Sequence, residues 1–232
     1  MEGFDFQVEI LRTKRKKSAS IQLNEGLVKV LVPKSLSDKR IRDLILKRSS
    51  WIQTKLKEQS KRLPITPREY VSGECFPYLG KNYRLKVVYG ENLSVKMKNG
   101  YLVVTLISDM DQQEVVRLQL EKWYQEHAET RLKEKTKRLA KIVGVNPSSV
   151  SVKTYKSRWG SCSHKGEIIY NWKIILAPHR IVDYVVVHEL CHLLEHNHSP
   201  KYWRQVERHT PDWKNCRNWL KSNSVNLQNF FL

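Results

Sequence analysis

The sequence predicts an α+β protein: a β-rich N-terminal part packed on a C-terminal part that holds a metal-binding helix. Three observations carry this. Apolar/polar alternation with hairpin signals dominates up to residue 107, sustained helical periodicity sets in near Asp109, and the string HELCH occupies residues 188–192 of an apolar helical run. The change of pattern places a boundary near 108. The expectation is a β-rich subdomain with one helix over residues 1–107 and a second domain over 108–232, packed together because no flexible linker intervenes.

The elements follow in order. "DFQVEILRT" alternates, and "SASIQL" and "LVKVLVP" flank "NEG", a hairpin signal in which Gly26 supplies the turn. Ser37 is a good N-cap for a helix whose apolar positions include Ile41, Leu44, Ile45, Trp51, Ile52 and Leu56, and which Pro64 and Pro67 end. Strands resume in "YRLKVVYG", "LSVKMK" and "YLVVTLI", the last two joined across Asn99-Gly100. A long amphipathic helix follows, with Gly144 as its C-terminal stop. The strands "SVSVKTY" and "GEIIYNWKIIL" come next. Helices then cover about Ile181 to Glu195, Pro200 to His209 and Asp212 to Lys221.

Composition narrows the function classes. No apolar run is long enough to span a membrane. The opening "MEGFDFQVEI" lacks the basic and apolar regions of a secretory signal, so a cytoplasmic protein is expected. Cys75, Cys162, Cys191 and Cys216 form no CxxC pair, which argues against a zinc ribbon or a disulfide framework. The net charge of +19, from 42 Lys and Arg against 23 Asp and Glu, favours an anionic partner. That partner would be a nucleotide or a nucleic-acid-associated protein. A basic surface that serves solubility explains the charge equally well.

HELCH is an HExxH sequence. Residues i and i+4 share a helix face, so His188 and His192 can reach one ion, while Glu189 beside them can take a proton from activated water. His196 continues the series. On an unbroken helix, however, it would lie about 12 Å from His188. Asn197 as a left-handed residue, Ser199 as N-cap and Pro200 at the first helical position suggest a break there, with His198 at the junction. His198 is thus favoured as third ligand, with His196 and Glu207 as alternatives. Three protein ligands would leave a position open for water.

"HELCHLLEHNHSPKYW", preceded by "KSRWGSCSHKGEIIYNWKIILAP", resembles the YgjP-like family of metal-dependent hydrolases, which is related to zincin peptidases including SprT-type proteins. "RKKSASI", "SGECFPYLGKNYRL" and "WKNCRNWLK" extend the likeness over most of the chain. The resemblance implies a zincin-like C-terminal domain, one zinc ion held by His188, His192 and His198, and Glu189 as general base. It also implies two substrate classes, a peptide bond or the phosphoanhydride of a nucleoside triphosphate such as UTP. Tyr202-Trp203 stands where the family pattern usually has Phe-Trp.

Further candidates surround this centre. Arg158, Ser161 and Asn171 could bind substrate oxygens from a loop and strand beside the metal helix. Arg15 and Lys16, in the densest basic run, could bind an anion. Asp183 and Glu195 could orient the ligand imidazoles. Cys191 lies inside HExxH but points off the ligand face, and core packing is expected for it. A different class of function also fits the composition: a non-catalytic module in which zinc is structural and the basic surface binds nucleic acid. A fourth protein ligand would distinguish it.

Overall fold

The computed structural model describes residues 4–16, 18–24, 26–60, 67–107 and 112–231. The chain forms two compact units, Met1–Ile65 and Thr66–Leu232.

The first unit holds strands β1 (Val8–Thr13), β2 (Ser20–Asn24) and β3 (Leu27–Pro33) and helix α1 (Asp38–Ser60). The strand order is β1-β3-β2, with β1 parallel and β2 antiparallel to β3. Alternation puts Val28, Val30 and Val32 on one face of β3, and all three are fully buried with Ile41, Ile45 and Ile52 of α1. Gly26 takes the positive φ that the β2–β3 turn requires. Arg12 of the basic run is structural. Its guanidinium donates to Lys34 O and Leu36 O and pairs with Asp38 at 2.6 Å, tying β1 to the start of α1.

The second unit begins with β4 (Cys75–Tyr78), β5 (Lys81–Tyr89), β6 (Ser94–Lys98) and β7 (Tyr101–Leu106), in the order β4-β5-β7-β6. Asn99 and Gly100 both have positive φ and close the β6–β7 hairpin, as their dipeptide predicts. Helix α2 (Gln112–Val143) follows. Then come β8 (Ser149–Lys153), β9 (Gly160–Cys162) and β10 (Glu167–Asn171), in the order β8-β10-β9. A 3₁₀ helix (Trp172–Leu176) leads into α3 (His179–Cys191), α4 (Pro200–His209) and α5 (Trp213–Gln228).

The division at 65/66 differs from the expected one near 108, and α2 is the reason. Its buried stripe runs Val116, Leu120, Tyr124, Ala128, Leu132, Thr136, Leu139 at helical spacing. The stripe shares a single core with Leu102, Val104 and Leu106 of β7 and with Val182, Val186 and Leu190 of α3. The β4–β7 sheet therefore belongs with the helices that follow it. The residues about 108–111 and Pro64 lie outside the described residues.

Candidate metal centre

Helix α3 carries the first two histidines. Its apolar run Ile181, Val182, Tyr184, Val185, Val186, Val187 is buried, which fixes the helix in the core and turns the face bearing His188 and His192 toward a cleft. Regular helix stops at Cys191, four residues before the expected end at Glu195. The backbone tightens there: His192 N, Leu193 N and Leu194 N donate to carbonyls three residues back. Asn197 is not left-handed. Outside glycine, positive φ among the described residues occurs only at Tyr70, Leu79 and Asn99. The chain then re-enters helix at α4, with Ser199 Oγ accepting from Tyr202 N and Pro200 in the first turn, as the sequence suggests.

This early stop brings His198 back over α3. One nitrogen from each of His188, His192 and His198 falls within 4.8 Å of the others. The Nε2 atoms of His188 and His198 are 3.2 Å apart. Two nitrogens each about 2.05 Å from a tetrahedral zinc would be separated by about 3.3 Å. Burial pushes the His188 imidazole down to about 3, aided by the neighbouring imidazoles, and also lowers His192 and His198. Neutral imidazole is the form that ligates a metal. The residues present therefore fit a zinc ion. His196 and Glu207 are not part of the group.

Aromatic rings hold the three histidines. Tyr202 stacks on His192 at 4.6 Å, and its hydroxyl donates to His188 O at 2.9 Å. Trp203 stacks on His198 and, at 4.2 Å, on Trp213 of α5. His192 Nδ1 contacts the Glu195 carbonyl at 3.2 Å, which leaves Nε2 for the ion. The orienting group at residue 195 is thus its backbone rather than its carboxylate. Asp183 orients no imidazole: it pairs with Lys135 at 2.6 Å and Arg138 at 3.6 Å. His188 Nδ1 is buried without a hydrogen-bond partner among the described residues, so on that side packing sets the ring.

Glu189 is 5% exposed and makes no hydrogen bond or ion pair with any described residue. Burial pushes its carboxyl up to about 8, against the lowering effect of Arg158. A cation held by the three neighbouring histidines would oppose that rise and favour the carboxylate form. Space for it comes from Gly160 at the start of β9, where an added Cβ would lie 2.5 Å from Glu189 Oε1.

The cleft has a volume of about 600 Å³. Besides the three ligands and Glu189 it is lined by Arg158, Ser161, Cys162 and His164 on one side and by Arg217, Lys221 and Ser224 of α5 on the other. Arg158 and Ser161 thus lie where the sequence suggests, although Ser161 Oγ is 2.5 Å from Tyr155 OH. His196 lines the cleft too, its ring 4.5 Å from that of His164. Asn171 does not reach it. Fully buried, it caps the 3₁₀ helix, with its amide donating to Tyr155 O, Arg158 O and Gln228 Oε1. Arg15 and Lys16 belong to the first unit, where Arg15 donates to Ser20 Oγ, and every lining residue belongs to the second.

Cys162 lines the cleft with its thiol pushed up to about 11 by burial, while Cys191 is fully buried. Arg217 and Lys221 are the residues that sequence reasoning misses. Their i, i+4 spacing in "WKNCRNWLK" puts both on one helix face, but nothing local says that the face meets His198.

A family model described as YgjP-like, metallopeptidase domain, matches residues 17–223. No curated protein matches. Among solved structures, the metallopeptidase zymogen abylysin of Pyrococcus abyssi is similar, at 22% identity and a TM-score of 0.37, over 40% of this chain and 93% of that one. The metallopeptidase zymogen jannalysin of Methanocaldococcus jannaschii is similar at 19% identity and a TM-score of 0.34, over 39% of this chain and 95% of that one.

Proposed function

Because this chain belongs to the YgjP-like metallopeptidase domain family, we propose that it is a zinc-dependent hydrolase acting on peptide bonds, with His188, His192 and His198 holding one ion and Glu189 as general base. The observation that carries this reading is a set of three neutral imidazoles facing a cleft beside a buried, unpartnered carboxylate. When bound, zinc supplies Lewis-acid polarisation and lowers the pKa of water. Glu189 then takes a proton from the attacking water at its carboxylate and passes it to the leaving group. The Tyr202 and Trp203 rings keep His192 and His198 aligned, and Gly160 leaves the Glu189 carboxylate its position.

The rim favours an anionic substrate. Arg158, Arg217 and Lys221 line the cleft and have no ion-pair partner among the described residues. That observation supports a second reading, in which the same centre cleaves a nucleoside triphosphate at a phosphoanhydride bond and the cations hold the phosphates. Against a purely structural zinc stands the group of three histidines, which has no fourth ligand among the described residues.

The test is to incubate zinc-loaded protein with an unfolded protein and, separately, with nucleoside triphosphates, beside Glu189→Gln. Peptide cleavage that falls roughly 10²–10⁴-fold in the variant, with zinc content unchanged, is the expected result. Pyrophosphate or phosphate release with the same dependence, and no proteolysis, would select the second reading. Neither activity in a fully loaded protein would sink both and leave a metal-stabilised binding module.

A further inference from the structure

A second concavity, of about 560 Å³, lies in the same unit and shares no lining residue with the metal cleft. Its floor is Tyr78 and Leu79, and its walls come from β5, β6, α2 and the start of α3. The α2 wall carries Arg131, Lys135 and Arg138 at i, i+4 and i+7, which is one stripe of a helix about 10 Å long. Lys81 faces it from the first position of β5 and has no ion-pair partner among the described residues.

The charges do not cancel. Against four cations stand Glu134, 2.9 Å from Arg131, and the single carboxylate of Asp183, shared by Lys135 and Arg138. The His179 imidazole at the rim has its pKa lowered mainly by burial and then by Lys135, against a raising effect of Asp183, with Lys81 and Arg131 lowering it further. Tyr83 and Met97 stand beside this row and are only partly covered or exposed.

The base of the groove is held in a costly conformation. Leu79, not a glycine, has φ 49°, and Gly80 follows at φ 88°. Leu79 N donates to Ile175 O at 2.8 Å, and a Cβ on Gly80 would lie 3.2 Å from Pro178 Cα. The β4–β5 turn is therefore pinned against the segment that starts α3. Backbone strain of this kind persists where the surroundings over-determine it, often at ligand sites.

We propose that this groove binds single-stranded nucleic acid, with the α2 stripe and Lys81 on successive phosphates and Tyr83 offering a face to a base. A row of cations beside a partly uncovered ring, here Tyr83, is the arrangement that non-specific single-strand binders use. The groove is independent of the metal centre, so strand binding does not require Glu189 or the ion.

Fluorescence anisotropy tests it, with labelled 15-nucleotide single strands of DNA and RNA, a duplex, and a base-free polyphosphate. Wild type and Lys81→Glu/Arg138→Glu are titrated at several salt concentrations, with Lys16→Glu as a matched charge control in the first unit. Both groove positions are exposed, and thermal unfolding checks that the fold is kept; if it is not, Lys81→Gln alone replaces the double variant.

The expected result is at least a tenfold loss for the double variant, with a salt slope shallower by about 1.4 for two lost phosphate contacts. Lys16→Glu should lose less than twofold, Tyr83→Ala should weaken the strand but not polyphosphate, and Glu189→Gln should bind like wild type. Three results would overturn the proposal: an equal loss in the Lys16 control, equal affinity for polyphosphate or duplex, or no measurable binding by wild type.

Discussion

Gly160 and Glu189 occupy one space: a methyl group at residue 160 would sit 2.5 Å from the carboxylate oxygen it adjoins. Gly160→Ala should therefore push Glu189 out of line without touching a metal ligand. The expected outcome is a fall in kcat of at least tenfold with zinc content and KM little changed, since a displaced general base forfeits part of its roughly 10²–10⁴-fold contribution. Loss of bound zinc in that variant would show that the residue supports the ligands instead. This dependence is not legible in the sequence, because Gly160 lies 29 residues from Glu189 and only the β9–α3 juxtaposition joins them. The grouping of the three histidines is legible for the opposite reason. His188 and His192 are related by helix geometry alone, and His198 by a local turn chemistry that Ser199-Pro200 announces.

At the scale of elements, α4 is clamped to the end of α3 by Tyr202, whose hydroxyl reaches His188 O at 2.9 Å. That carbonyl belongs to the last turn of α3. Tyr202→Phe keeps the ring on His192 and removes only the hydrogen bond. It should cost about 1 kcal/mol in a denaturant titration and weaken zinc several-fold in a competition with a chromophoric chelator; unchanged stability would mean that stacking alone holds the two helices. Long elements were readable from pattern. Helix α2 shows its stripe and its Gly144 stop, and the β6–β7 hairpin shows its Asn99-Gly100 turn. The end of α3 was not, because Leu193 and Leu194 continue the apolar helical pattern while the backbone has already tightened. Nor was Asn171, whose polar side chain in a strand looks available until three acceptors are found around its buried amide.

For the molecule as a whole, the division at Ile65 predicts what can be separated. A chain starting at Thr66 should unfold cooperatively and bind zinc like the full-length protein, as followed by circular dichroism and metal titration; a molten or aggregating fragment would count against the division. Saturating zinc should raise its stability by about 2.7 kcal/mol at a free concentration 100-fold above Kd, and a chelator should reverse the gain. In the sequence the β4–β7 strands look like those before α1, while in the fold their buried face belongs to α2. Strand type is local, whereas the choice of core is not.

The cleft also contains a thiol held in its less reactive form. Cys162 stands among its lining residues, yet the same burial that raises Glu189 keeps the thiol protonated, near 11. Peroxides and alkylating agents attack the thiolate. Burial should thus slow the attack of such reagents on Cys162, and thiol-directed inhibitors should reduce turnover far less than metal chelators do.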